Sequence, residues 1–321
     1  MILGGRPARA GGLRPGGEQG EASRVQARLF GVLGDPVDHS LSPAMHNAAF
    51  ARTGLPHLYL RFRVRPPELR RALRDARALG MAGLNLTVPL KETVLPLLDR
   101  LTPEADRIGA ANTLVFRDGG ARIVGDNTDG RGFLGAIAGR VRLRGAAVTL
   151  IGAGGSARAV GVALAGAGCE RIVVANRTLR RGEALADRLT ALGAKASAVR
   201  LGALRTAAAL DGVALVVNAT SLGLSAARLP VRHAATPRDC LFVDLVYGPR
   251  PTPFLSAARR AGRPTLDGGW MLLHQGALAF ETWTGRPAPR ATMAAALRRA
   301  GLALTELRPA GTFRPRRPPT P

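Results

Sequence analysis

The apolar run Val148-Thr-Leu-Ile151 passes directly into Gly152-Ala153-Gly154-Gly155-Ser156-Ala157, and no other junction in the chain constrains the fold as much. A run of that kind reads as a buried strand, and a G-x-G-x-x-A turn after a strand opens a helix. The glycines permit the tight turn and let the backbone approach a pyrophosphate, whose charge then rests on the helix N-terminus. A glycine trio alone fits a merely structural turn equally well. Here the context adds to it: a helix is expected from about Ser156, and a second strand, Arg171–Ala175, follows about twenty residues on. A helix from about Arg180 and strands at Val213–Asn218 and Leu241–Leu245 continue the cadence of a doubly wound, Rossmann-type nucleotide-binding domain.

After the second of these strands the chain reads Asn176-Arg177-Thr178. An NAD site places an acidic side chain there, on the ribose 2′-hydroxyl, and this sequence has none. A guanidinium and a hydroxyl suit the 2′-phosphate of NADP instead, with Arg181 one helical turn further on. The plainer alternative is a capping threonine among surface arginines. Following the glycine turn, the segment is read as NADP-binding.

Ahead of this domain, short apolar runs alternate with helical stretches. Strands are expected at Leu29–Leu33, near 57–64 and at 82–87, with helices near 43–53 and 67–80. That alternation predicts a second, mainly parallel α/β unit. The reading is a two-domain α/β protein. Residues 28–128 form an N-terminal substrate domain, completed by helices within 269–302, and residues 129–268 form the nucleotide-binding domain. The flanks 1–27 and 303–321, rich in Gly, Arg and Pro without periodicity, are expected to be disordered.

Lysine is scarce in this chain. Of 46 basic residues only Lys91 and Lys195 are lysines. Arginine keeps its proton near neutral pH, whereas a lysine ammonium can be tuned to give it up. Lys91, in Asn85-Leu-Thr87-Val-Pro-Leu-Lys91-Glu92, is therefore a candidate for acid/base work, although a solvated turn lysine would look the same. Other polar clusters have no evident structural duty: His39-Ser40-Leu-Ser42-Pro43, Ala111-Asn112-Thr113 and Asp126-Asn-Thr-Asp129-Gly130. Each alone could be a cap or turn. His39 and His46 stand seven apart with Pro43 between them, which argues against a metal pair, and no metal is expected.

The net charge of +24 invites a nucleic-acid reading. The pattern weakens it, because the arginines are strewn along helical faces and aromatics make up only 4% of the chain. A diffuse positive field still favours anionic small molecules. Cys169 and Cys240 lie in apolar surroundings without metal-ligand spacing, as reduced thiols of a cytoplasmic protein would. Neither a membrane span nor a signal peptide is expected.

Taken together, the motifs resemble those of the shikimate dehydrogenase family over about residues 29 to 302. The resemblance implies that Ser40 and Ser42 hold a substrate carboxylate, with Asn85 and Thr87 beside the substrate and Asn112 binding a hydroxyl. It implies Lys91 and Asp129 as the catalytic pair. Thr220 and Gly268 would stand at the nicotinamide edge, and Tyr247 and Gln275 among the remaining substrate contacts. The implied reaction is reduction of 3-dehydroshikimate to shikimate by NADPH, in a monomer or homodimer. A quinate or aminoshikimate dehydrogenase on the same scaffold is the nearest rival. A non-catalytic dinucleotide sensor is a more distant one, and it would have no use for the lysine and aspartate.

Overall fold

A computed structural model of the chain describes residues 25–206, 210–222 and 228–304. The expectation of disordered flanks therefore lies outside the described residues for 1–24 and 305–321. At the C-terminal end, Leu302 and Leu304 are buried in a core cluster, so packed chain extends past residue 303, where the tail was expected to begin.

The first half runs β1 (Leu29–Gly34), α1 (Ser42–Arg52), β2 (Leu58–Arg63), α2 (Leu69–Ala78), β3 (Gly83–Leu86) and α3 (Leu90–Thr93). It continues through β4 (Arg100–Leu101), α4 (Pro103–Ile108), β5 (Thr113–Arg117) and β6 (Arg122–Asp126). These strands form a six-stranded sheet in the order β2-β1-β3-β5-β6-β4. Only β5 runs against its neighbours, antiparallel to both β3 and β6, so the sheet is mainly parallel, as expected. Strand alternation sets its two faces. Phe30 and Val32 of β1 pack beneath α1 and the closing helices, whereas Leu33 packs with Leu84 and Leu86 of β3 beneath α2.

A short helix, α5 (Asp129–Ile137), leads into the second half: β7 (Ala147–Ile151), α6 (Gly155–Gly166), β8 (Arg171–Asn176), α7 (Leu179–Ala191), β9 (Lys195–Arg200) and β10 (Val213–Asn218). Then come β11 (Leu241–Asp244), α8 (Pro253–Arg260) and β12 (Thr265–Leu266). The sheet order β12-β11-β10-β7-β8-β9 is wholly parallel, which is the doubly wound arrangement with its switch point between β7 and β10. Ligands of such sheets bind outside the carboxyl ends of the strands at that point. Here the glycine turn follows β7 and Ala219–Ser221 follows β10.

The closing helices α9 (Gly269–Thr284) and α10 (Arg290–Arg299) return to the first half. Leu272, Phe280 and Met293 join Phe30, Phe50 and Tyr59 in one core, while Met271 joins the core of the second half. Helix α9 thus seams the two halves together, and it lies close along α5. A Cβ on Gly132 would stand 2.7 Å from both the Cβ and the backbone nitrogen of Gln275, and one on Gly130 would stand 2.8 Å from the Ala159 carbonyl. Only glycine allows α5 to approach α6 and α9 so closely, and this approach positions Asp129 at the start of α5.

Candidate active site

Three loops of the first half are tied together by backbone hydrogen bonds. Leu86 N–H donates to the Asn112 carbonyl (2.9 Å), Asn112 N–H to that of Asp126 (3.0 Å), and Ala111 N–H to that of Lys91 (2.9 Å). The ends of β3, β5 and β6 are thereby fixed side by side, which brings Asn85, Lys91, Asn112 and Asp129 to one place. Pro89 and the single turn of α3 carry Lys91 away from the sheet and into the cleft.

Lys91 Nζ donates to Asp129 Oδ2 at 2.5 Å and to Ser156 Oγ at 3.0 Å. The other carboxylate oxygen, Oδ1, accepts from Asn112 Nδ2 at 2.7 Å. The Asp129 side chain is 4% exposed and that of Lys91 13%. A buried carboxylate needs such partners, because an unpaired buried charge is costly. Asn112 is itself held: its Oδ1 accepts from Thr128 N–H (2.8 Å) and from the Thr113 hydroxyl (2.9 Å), and its Nδ2 lies 3.3 Å from Gln275 Oε1. Asn85 is fixed in the same way, accepting from the Tyr59 hydroxyl at 2.8 Å and donating to the Asn112 carbonyl at 3.0 Å.

A cavity of about 200 Å³ opens above this network. Ser40, Ser42, Asn85, Thr87, Lys91, Asn112, Asp129, Tyr247, Gly268 and Gln275 all line it, with Ser156 and Thr220 entering from the second half. Burial raises the Tyr247 phenol above its ordinary range, while hydrogen bonding with the Leu41 backbone and Ser40 works against that. The phenol therefore reaches across to Ser40. Among apolar walls that include Val32, Met271 and Leu272, the cavity gathers hydroxyl, amide and ammonium groups, the donors and acceptors that a small polyhydroxylated acid requires.

A second groove, of about 560 Å³, adjoins the first and shares Val88, Lys91, Ser156 and Ala219–Ser221 with it. Gly152–Ser156, Asn176, Arg177 and Arg181 line it. Gly152 has φ +112°, and a Cβ there would meet Thr220 Cγ2 at 3.1 Å. No side chain caps the N-terminus of α6 at Gly154, so the turn is shaped to receive an anion from outside. The groove fits a dinucleotide on three counts: an uncapped helix N-terminus, a glycine floor and two guanidiniums at its far end. Three of the expected cofactor residues stand apart from it, Gly268 because it lines the first cavity instead. Ala157 is fully buried in the core and holds the helix rather than a ligand, and exposed Thr178 does not line the groove.

Some functional side chains were not singled out from sequence. Tyr59, in β2, orients Asn85, and no motif signals it. Thr128 supports Asn112 from within the Asp126–Asp129 cluster. Glu92, directly after Lys91, pairs with Arg158 and Arg181 across the cleft. Ser156, expected only beside the cofactor, also touches Lys91 and lies 3.3 Å from Asp129 Oδ2.

A doubly wound domain whose dinucleotide groove opens beside a buried lysine–aspartate pair on a separate α/β unit defines a class of two-lobed nucleotide-dependent dehydrogenases. Three family profiles match in succession: "Shikimate dehydrogenase substrate binding domain" at residues 32–114, "Shikimate / quinate 5-dehydrogenase" at 136–252 and "Shikimate 5'-dehydrogenase C-terminal domain" at 268–298. The shikimate dehydrogenase (NADP(+)) of Moorella thermoacetica is 47% identical over 285 residues, 86% of this chain and 95% of that protein. Among solved structures, Thermus thermophilus shikimate 5-dehydrogenase in complex with NADP(H) and shikimate superposes with a TM-score of 0.74 at 43% identity, covering 85% of this chain and 99% of that one. Quinate dehydrogenase from Corynebacterium glutamicum in complex with NAD superposes with the same TM-score, 0.74, at 33% identity, covering 85% and 99%. The chain belongs to the shikimate dehydrogenase family.

Proposed function

We propose that this chain reduces the C3 ketone of 3-dehydroshikimate to shikimate with NADPH, reversibly, and that Lys91 and Asp129 carry the proton. The observation behind this reading is the Lys91–Asp129 pair, buried where the first cavity and the glycine-turn groove meet. The relatives' names, which specify shikimate and NADP(+), support the substrate and cofactor.

The glycine turn would hold NADPH, which would supply the hydride for the ketone carbon. A proton must then reach the ketone oxygen, from an acid within about 2.6–3.2 Å of it. Lys91 gives that proton as an ammonium, and Asp129 and Ser156 aim its Nζ. After transfer, the neutral amine stays hydrogen-bonded to Asp129, and in the oxidising direction it takes the proton back. Ser40 and Ser42 take the substrate carboxylate. Asn85, Thr87, Asn112 and Gln275 take the ring hydroxyls, with Tyr247 closing the serine end. Gly152, Ala153, Gly154 and Gly155 would hold the pyrophosphate, Asn176, Arg177 and Arg181 the 2′-phosphate ribose, and Thr220 and Gly268 the nicotinamide end.

The setting is taken to be the cytoplasm. Cys169 and Cys240 are buried and free, and burial pushes their thiols up to about 11 and about 12, which leaves them inert in a reducing compartment. No helix among the described residues is long and apolar enough to cross a membrane.

Lys91→Ala tests the assignment. Turnover should fall by about 10²–10⁴, the usual worth of general acid/base catalysis, while the NADPH dissociation constant changes little. Normal turnover, or a defect confined to cofactor affinity, would remove Lys91 from the chemistry.

A further inference from the structure

Glu92 follows Lys91 on α3, and its carboxylate leaves the first half of the molecule to meet two arginines of the second. Oε2 lies 3.0 Å from Nη2 of Arg158 on α6, and Oε1 lies 3.3 Å from Nη2 of Arg181 on α7. The same Oε1 stands 3.8 Å from the position a Cβ on Gly154 would take. The carboxylate therefore hangs over the glycine turn, at a helix N-terminus that no side chain caps. Glu92 and Arg181 both line the dinucleotide groove. An acidic side chain thus rests where the fold offers its positive groups to an anion.

We propose that Glu92 is an internal competitor for the cofactor's phosphates. It holds Arg181 and Arg158, and the cofactor's phosphate oxygens compete with it for Arg181 in the groove. The inference rests on the NADP reading above. It assigns Glu92 a part in cofactor selection, because Arg181 cannot serve the carboxylate and a 2′-phosphate together. Removing the carboxylate's charge should improve binding most for ligands that carry the 2′-phosphate. The pairs are partly exposed, with side chains 25% (Arg158), 57% (Arg181) and 31% (Glu92) accessible. Ion pairs that water reaches in this way are worth about threefold to tenfold in affinity together.

The test is calorimetric titration of the full chain and its Glu92→Gln variant with NADPH, NADH and adenosine 2′,5′-bisphosphate. Glu92→Gln should tighten NADPH and the bisphosphate by about threefold to tenfold, and NADH by less than about twofold. In an Arg181→Gln background the larger gain for NADPH over NADH should disappear. Unchanged or weaker NADPH binding by Glu92→Gln, or an equal gain for NADPH and NADH, overturns the proposal. An unmodified chain that binds NADPH no better than NADH would overturn the cofactor reading itself, whatever the variant does.

Discussion

His46 lies at the heart of the first core, fully buried and stacked on Tyr59 with ring centroids 4.5 Å apart, and neither of its ring nitrogens has a hydrogen-bond partner. Burial lowers its pKa from 6.5 to about 3, so the folded protein keeps the ring neutral at pH values where the unfolded chain protonates it. The unfolded state then binds more protons, and stability is lost as pH falls from about 6.5 toward 3, at about 1.4 kcal/mol per pH unit for this one group. Above pH 7 the contribution is fully present. His46→Phe, which keeps the stack, should therefore flatten the fall in unfolding free energy between pH 6.5 and 4.5, measured by urea titration. A slope equal to that of the unmodified chain would contradict this. The sequence offered His46 only as an improbable metal ligand, since burial cannot be read from one residue. Lys91 was legible because lysine is scarce here and because it sits in the Asn85–Lys91 motif. Its partner was legible only through family resemblance, because 38 residues separate Lys91 from Asp129 and no periodicity links them.

Glycine decides the geometry of the elements around the site. Gly132 sits on α5 where that helix touches the backbone of α9, and α5 and α9 carry Asp129 and Gln275 respectively. Gly132→Ala should cost about 1–3 kcal/mol of stability through overpacking, despite alanine's better helix propensity, and it should lower kcat/KM by displacing both residues. Gly166→Ala near the end of α6, where a Cβ would meet nothing within 4 Å, serves as the control and should be neutral or stabilising. Equal behaviour of the two variants in denaturant titration and steady-state assay would refute the argument. Sequence periodicity predicted the elements whose apolar faces are long and regular: β1, α1, β7, β8 and β10 fall within a residue or two of expectation. It did not predict α5, whose sequence Asp129–Ile137 contains three glycines and is helical because α6 and α9 hold it so. Nor did it identify β5 and β6, five-residue strands whose polar ends, at Asn112-Thr113 and Asp126, read equally well as caps or turns. Strand β9 reads Lys-Ala-Ser-Ala-Val-Arg, too small and polar to announce itself, and it is a strand because β8 lies beside it.

At the scale of the whole molecule, one cleft serves two sheets. The second sheet presents the carboxyl ends of its strands to it, the first sheet the carboxyl ends of β3 and β6 with the amino end of the antiparallel β5. Helix α9 seams the halves, and the Lys91–Ser156 hydrogen bond and the Glu92 ion pairs span the cleft. The chain's net charge of +24 suits electrostatic attraction of anionic ligands such as a carboxylate substrate and a dinucleotide. Under the proposed function this cleft oxidises shikimate with NADP in the reverse direction. Initial rates with shikimate and quinate, each paired with NADP and with NAD and followed by absorbance of the reduced nicotinamide, test it directly. Arg177 and Arg181 line the groove where a 2′-phosphate would lie, and one charge-assisted hydrogen bond there corresponds to about tenfold or more in preference. The predicted result is efficient turnover of shikimate, with NADP favoured over NAD by at least about tenfold in kcat/KM and quinate a poor substrate. Equal efficiency with both cofactors, or a preference for quinate with NAD, would contradict it.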